Sequence, residues 1–120
     1  MSEIKLKRIY EPAAKHDGYR ILIDRLWPRG LTKEKAHVDH WTKDIAPSSE
    51  LRKWFDHMED KWTGFSKAYK TELKNSESMA EILDLIQSHN TVTLLYASRD
   101  EKHNHGIILQ EFLTNELAKN

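Results

Sequence analysis

The residues best suited to chemistry lie directly after an apolar segment in the first quarter of the chain. Within Tyr19–Leu31, three aliphatic residues are followed at once by Asp24, Arg25 and, after a tryptophan and a proline, Arg29. A guanidinium group presents a planar fork of donors that fits carboxylate or phosphate oxygens. Ligands of open α/β sheets bind beyond the carboxyl ends of the strands. The pattern therefore predicts an anion pocket at the end of this strand.

A second polar group follows a second apolar segment near the end of the chain. Thr91–Ala97 is apolar on both faces and is followed by Ser98, Arg99 and Asp100. Long helical connections favour parallel pairing of the two buried strands, which would bring their carboxyl ends to one edge of the sheet. The helix that begins after Glu101–His105 would direct free N–H groups towards the same space.

We expect eight side chains at this edge to contact a ligand and three to transfer protons. The expected ligand-binding residues carry cationic, polar or aromatic ends: Arg25, Trp27, Arg29, Lys43, Arg52, Ser98, Arg99 and Asn104. The candidates for acid–base chemistry are Asp24, Asp100 and His105, the last because an imidazole titrates near neutral pH. Two interpretations stay open: a ligand pocket, or an internal network in which each aspartate holds an arginine.

Metal binding and covalent catalysis have weaker support in the sequence. His103 and His105 alternate, and with Asp24 or Asp100 they would make a three-ligand site, but no third histidine stands at a diagnostic distance. Ser98 follows a strand without the G-x-S-x-G elbow of a serine hydrolase, and no glycine-rich phosphate-binding motif is present. We therefore expect no metal and no cofactor.

Composition limits the class of protein. The 120 residues fit a single domain spanning 1–120. Nineteen basic residues balance nineteen acidic ones, whereas a dedicated nucleic-acid binder usually has a basic excess. The absence of cysteine excludes disulfides, thiolate nucleophiles and cysteine metal sites. No apolar run approaches the ~18 residues of a membrane span, and the N-terminus lacks the apolar core of a signal peptide. We expect a cytoplasmic protein without membrane contact.

Hydrophobic periodicity predicts a small α/β domain. Its sheet would be mainly parallel or mixed, with three to four strands, flanked by about four helices. The predicted strands are Ile4–Tyr10, Tyr19–Leu26, Thr91–Ala97 and a short edge segment within Val38–Trp41. The predicted helices cover Glu50 to about His57, Glu59–Lys74, Met79 to about Ile86, and a final segment reaching about Ala118, with a short turn at Lys33–Ala36 capped by Thr32. Trp41, Trp54 and Trp62 are expected in the core or between helices, whereas Trp27 either stacks on a ligand or packs as core.

Three blocks of the sequence are similar to a known family. IDRLWPRGL, WTKDIAPSSELRKWF and LLYASRDEKHNH resemble the YeaO-like proteins, a bacterial family with domain of unknown function 488. The resemblance covers nearly the whole chain and implies a compact α/β domain. It implies no established reaction, substrate or cofactor, and it attaches no catalytic role to any residue.

Two main functional hypotheses follow. The first is an anion pocket for a phosphate- or carboxylate-bearing metabolite at the ends of segments 19–26 and 91–97, in either a small enzyme or a binding protein. The alternative is a nucleic-acid- or protein-binding module without catalysis, with a basic face formed by Arg8, Arg20, Lys33, Lys35 and Lys43. The zero formal net charge counts against the nucleic-acid version. A third hypothesis treats the charged corner as an interface between subunits.

Overall fold

A four-stranded sheet, parallel throughout, forms the centre of the fold in a computed structural model that describes residues 2–56 and 58–119. The strands are β1 (Glu3–Arg8), β2 (Tyr19–Leu22), β3 (His40–Trp41) and β4 (Thr91–Tyr96). Their order across the sheet is β1-β4-β2-β3. The predicted α/β class is confirmed. Because β2 and β4 are parallel neighbours, their carboxyl ends share one edge of the sheet.

Five α-helices accompany the sheet in the described residues, against about four predicted. They are α1 (Lys33–Ala36), α2 (Ser49–Phe55), α3 (Trp62–Lys74), α4 (Met79–Gln87) and α5 (His105–Ala118). The predicted cap at Thr32 is observed, and Ser48 caps α2 in the same way, since each hydroxyl accepts an N–H from the first turn of its helix. His57, where we expected α2 to end, lies outside the described residues. None of the described helices is long and apolar enough to cross a membrane.

The segment expected to form one helix from Glu59 is divided in two. Glu59–Lys61 forms a 3-10 turn, and the α-helix proper begins at Trp62. Lys61 at this junction makes no side-chain cap, so a tighter turn rather than a polar cap begins the helix.

Side chains alternate along the strands and build two cores of unequal size. On one face, Ile21, Val92 and Leu94 pack in a large apolar cluster that includes residues from α2, α3, α4 and α5. On the other face, Leu22 and Leu95 belong to a small cluster covered by α1 and the neighbouring loops. This division follows from the two-residue period of a strand, and it leaves the charged strand ends on the rim between the two cores.

The second strand is shorter than predicted. Tyr19–Leu26 was expected to be extended, but β2 ends at Leu22 and the last ladder bond is from the Ile23 amide to the Leu95 carbonyl, 3.1 Å. Beyond that point the Asp24 side chain accepts the Ala97 amide, 2.9 Å, so a carboxylate takes the place of a backbone carbonyl. The hydrogen bonding between the two chains therefore continues through the Asp24 side chain, while the backbone after β2 turns away from β4.

Trp54 lies outside the core. It is 47% exposed, which excludes the first of its two predicted roles, core or helix packing. The indole nevertheless lies over Gly64 of α3, where an added Cβ would stand 2.9 Å from the ring, and Lys61 lies 5.2 Å above it. Packing between helices is thus the role that the structure gives Trp54, and it accounts for a glycine inside α3.

A buried ion pair occupies the less covered face of the sheet. Arg20 is 4% exposed, and its Nη1 donates to Asp17 Oδ2 at 2.6 Å, while Lys7 Nζ lies 3.1 Å from the same oxygen. The remaining guanidinium donors bind the carbonyls of Ala36 and His37. Burial raises the pKa of Asp17, but the Ala14 amide, Lys7 and Arg20 outweigh it and hold the pKa below its ordinary value. Arg20, which we expected on a basic surface, is therefore an internal structural residue.

Gly18 allows this arrangement because it brings the chain back against β4. Its φ of 67° and ψ of −136° lie in a region that only glycine adopts easily, and an added Cβ would collide with the Thr91 carbonyl. Gly30 also has a positive φ, 79°, but an added Cβ would meet nothing within 4 Å.

These two glycines make a matched test of the close approach. We expect Gly30→Ala to lower the free energy of unfolding by about 1–2 kcal/mol, the cost of the left-handed conformation alone. Gly18→Ala should cost more than about 3 kcal/mol, because backbone strain is joined by a collision with main-chain atoms. Urea unfolding of both variants measures the difference. Equal costs would contradict the close packing of Gly18 on β4.

Candidate functional site

Asp24 connects the ends of three strands at the carboxyl edge of the sheet. Its Oδ2 accepts the Ala97 amide beyond β4 at 2.9 Å, and its carbonyl accepts the indole N–H of Trp41 in β3 at 2.7 Å. Its Oδ1 is buried without a hydrogen bond and lies 3.3 Å from Nε2 of His105. The carboxylate is thus placed by backbone groups, with one oxygen directed at an imidazole.

His105 is the first residue of α5 and points back into the sheet. Its Nε2 lies 3.1 Å from the Ile23 carbonyl and 3.3 Å from Asp24 Oδ1. Both neighbours are acceptors, so Nε2 carries the proton and donates to Ile23. We expected Asp24 and His105 near each other, and the structure brings them into contact.

Burial shifts both members of this pair towards their neutral forms. It raises the pKa of Asp24 above its ordinary value, although His105, the Ala97 amide and Arg52 each favour the ionised carboxylate. It lowers the pKa of His105, although Asp24 and the Ile23 carbonyl favour the protonated ring. Arg52 also lowers the pKa of His105, so its positive charge acts on both groups.

His105, but not Asp24, lines a cavity of about 160 Å³. Its lining combines an apolar wall with a polar one: Pro47, Phe55 and Phe65, and then Arg52, Ser98, His103, Asn104 and His105. Four of these, Arg52, Ser98, Asn104 and His105, are residues for which we predicted a role. They come from α2, from the loop after β4 and from the start of α5.

Arg52 is the fixed positive charge of this cavity. It lies on α2, is exposed, and makes one long contact, 3.5 Å from Nη2 to the Ser49 hydroxyl. Among residues 2–56 and 58–119, no carboxylate oxygen lies within ion-pair distance of its guanidinium group. Its donors are therefore available to a ligand.

Asp100 shapes the loop that carries the polar wall. Its Oδ1 accepts the amides of Lys102 and His103, each at 2.9 Å, and these amides lower its pKa. Its Oδ2 lies 3.5 Å from Nδ1 of His103, and its carbonyl accepts the Asn104 amide side chain. Asn104 in turn caps α5 by accepting the Ile107 amide. Asp100 and Asn104 thus hold His103 and His105 at the cavity.

Ser98, the hydroxyl nearest the strand ends, is not activated as a nucleophile. Its Oγ accepts the Asp100 amide at 3.2 Å, and its carbonyl accepts Arg8 Nε at 2.9 Å. His105 directs Nε2 at Ile23 and Asp24 instead. Within the described part of the chain, no serine hydroxyl is hydrogen-bonded to a histidine ring, and no cluster of three potential metal ligands is found.

The three arginines expected to clamp an anion together are placed apart. Arg25 lines a separate cavity of about 210 Å³ with Glu72 and Tyr69, and its Nη2 donates to the Ala46 carbonyl at 3.3 Å. Arg29 and Arg99 are exposed and line neither cavity. A strand end turns sharply, so residues adjacent in sequence leave it in different directions.

Two further predicted ligand residues are engaged on the other face of the sheet. The Trp27 indole donates to the Leu31 carbonyl at 2.7 Å and packs edge-on against Trp41, 5.5 Å between ring centroids. Lys43 lies 5.3 Å above the Trp41 ring. Core packing is the role that the structure gives Trp27.

Sequence reasoning missed the apolar wall and His103 as a lining residue. Phe55 and Phe65 lie in two segments that were predicted to be helices, but those predictions do not show that the two rings meet beside a cavity. Their centroids lie 4.4 Å apart. The available signal was the density of aromatic residues between Trp54 and Tyr69, which indicates a cluster without locating it.

Comparison with known proteins gives a consistent result across nearly the whole chain. A family model described as "Inactive DUF488-N3 subclade" matches residues 3–120. The uncharacterised protein YeaO of Escherichia coli (strain K12) is 42% identical over 110 residues, which cover 92% of this chain and 96% of YeaO. The uncharacterised proteins Rv3073c of Mycobacterium tuberculosis and Mb3100c of Mycobacterium bovis are each 36% identical over 112 residues, which cover 93% of this chain and 94% of each relative. No solved structure matches the chain.

The lowered pKa of His105 predicts a specific pH dependence. The unfolded chain takes up a proton on this ring as the pH falls through about 6.5, whereas the folded chain resists it, so the stability contributed by neutral His105 is lost below that pH. The cost of His105→Gln in free energy of unfolding should therefore shrink between pH 7.5 and 5.0, by at most about 1.4 kcal/mol per pH unit. The protonated His105 ring favours the ionised Asp24 carboxylate, so its removal raises the Asp24 pKa further. This change also makes the cost of the substitution smaller at low pH.

Urea unfolding at the two pH values measures this effect. His16→Gln, at an exposed histidine, is the matched control and should cost little at either pH. A His105→Gln cost that grew on acidification would show that the buried ring is charged in the folded protein.

Proposed function

The chain belongs to the inactive DUF488-N3 subclade, which agrees with the predicted YeaO-like family, and from that premise we propose that it binds a small anion without transforming it. The ligand would lie in the cavity at the carboxyl edge of the sheet. The observation that carries the proposal is Arg52, whose guanidinium lines this cavity and has no carboxylate partner among the described residues.

The surrounding groups support an oxyanion at this place. Arg52 can donate two parallel hydrogen bonds to a carboxylate or phosphate. Ser98, His103 and Asn104 add neutral or ionisable polar atoms on the opposite wall. The α5 helix contributes its positive end, since the helix begins at His105 with Asn104 as its cap.

The Asp24 carboxylate would repel an anion if its charge were unshielded. Its Oδ2 is bound by the Ala97 amide, its Oδ1 lies beside His105, and burial raises its pKa. Asp24 and His105 therefore form a pair of low net charge next to the cavity. We assign them, with Asp100, to positioning α5 and its loop rather than to proton transfer with a substrate.

Binding without turnover also fits the side-chain geometry. A covalent mechanism needs a nucleophile in hydrogen-bonding reach of a base. In this cavity the Ser98 hydroxyl and the two histidines each have other partners. The hydroxyl that does donate to a carboxylate, Ser48 to Glu72 at 2.6 Å, caps α2 and lines the other cavity. The word "inactive" in the description of the family agrees with this arrangement. The alternative of a nucleic-acid module stays a prediction, with Arg20 and Trp27 no longer available to it.

The proposal is tested by ligand-induced stabilisation. At about 100 times its dissociation constant a ligand stabilises the folded state by about 2.7 kcal/mol, which for a domain of this size raises Tm by roughly 10 °C. Phosphate, sulfate, acetate and benzoate, each titrated at constant ionic strength, should include at least one anion with this effect on the wild-type protein.

Arg52→Gln should reduce the stabilisation to about half at the same ligand concentration, as a tenfold weaker site does, while changing the Tm of the free protein little, because the side chain is exposed. Lys53→Gln is the matched control, since it removes one exposed positive charge from the same helix without altering the cavity lining. Equal loss in both variants would mean general charge screening, and the proposed site would be rejected.

A further inference from the structure

We infer that the anion is a monocarboxylate with a compact apolar tail, such as an aromatic ring, a conclusion that rests on the proposed function. The inference comes from the division of the cavity into two chemically different walls. Inorganic anions and apolar carboxylates both offer oxygens to Arg52, but only the latter also fit the apolar wall.

The apolar wall is made of rigid and buried side chains. Pro47, Phe55 and Phe65 line it, and all three are buried. The two phenylalanine rings stack at 4.4 Å between centroids, and Trp62 lies 5.8 Å from Phe55 and 5.7 Å from Phe65. A phosphate or sulfate ion has no apolar surface to place against these rings, whereas a hydrocarbon tail would displace water from them.

The charge of the cavity fits a single negative charge. Arg52 is the one permanently charged cation in its lining. Asp24 lies below His105, and Asp100 and Glu59 lie 3.5 and 4.0 Å from Nδ1 of His103. A phosphate group carries about −1.5 to −2 charges near neutral pH, so it would face these carboxylates with more charge than Arg52 balances.

The volume sets the size of the tail. The cavity holds about 160 Å³, and a space of roughly 150 Å³ is enough for a benzene-sized molecule. With the ring against Phe55 and Phe65, the carboxylate would extend to the Arg52 guanidinium.

The test compares ligands that differ in one property at a time, using the wild-type full chain and isothermal titration calorimetry. Benzoate has both the charge and the ring, benzamide keeps the ring without the charge, acetate keeps the charge without the ring, and inorganic phosphate has more charge and no ring. Benzoate should bind at least about tenfold more tightly than acetate or phosphate, because the apolar surface of a ring is buried. It should bind about tenfold more tightly than benzamide, because a charge-assisted pair is lost in the amide.

Variants then locate the binding. Arg52→Gln should weaken benzoate about tenfold and leave benzamide unchanged, whereas Lys53→Gln should change neither. Benzamide binding as tightly as benzoate, or benzoate unaffected by Arg52→Gln, would overturn the inference. Phosphate binding at least as tightly as benzoate through Arg52 would also overturn it and leave the proposed function standing. If no anion binds, both this inference and the proposed function would be rejected.

Discussion

The hydrogen bond from the Ala97 amide to the Asp24 carboxylate is the interaction on which the carboxyl edge of this protein depends. At 2.9 Å it joins the chain leaving β4 to the chain leaving β2, just past the last backbone bond between the two strands. A buried amide needs an acceptor, and here a side chain supplies it so that the two backbones can separate. The cavity lies at this edge, where the loop after β4 and the start of α5 meet α2.

The same carboxylate connects this edge to the last helix. Its second oxygen lies 3.3 Å from His105, the first residue of α5, and the imidazole donates to Ile23 at the end of β2. Strand end, helix start and loop are therefore held by one compact polar group under an otherwise apolar cluster. Buried polar groups of this kind define position well because each partner is costly to leave unpaired.

The two faces of the sheet are covered to different extents. One face is covered by four helices, and it carries the aromatic cluster that also forms the wall of the cavity. The other has the short α1 and a buried Asp17–Arg20 pair whose donors reach backbone carbonyls. The unequal covering explains why Trp27 and Trp41 are needed as packing residues on the thinner side. The apolar wall of the proposed binding site therefore belongs to the face of the sheet that four helices cover.

Much of the fold follows from local patterns. The pattern in Thr91–Ala97 correctly predicted apolar side chains on both faces of the sheet, and the hydroxyl of Thr32 correctly marked a helix start. These features depend on neighbours one to four residues away, so the sequence contains them directly. The parallel pairing of β2 and β4 also followed, because a long helical connection leaves few other topologies.

The sequence by itself determined the class of fold, the two innermost strands and the edge at which charged residues collect. Only the tertiary structure decided which charges remain available to a ligand. Arg25, Arg29, Arg52 and Arg99 are indistinguishable as residue types, yet Arg25 donates to main-chain carbonyls, Arg29 and Arg99 point elsewhere, and Arg52 lines the cavity. The physical reason is that a guanidinium group on a long, flexible side chain takes whatever acceptors lie within reach, and those acceptors belong to segments distant in sequence.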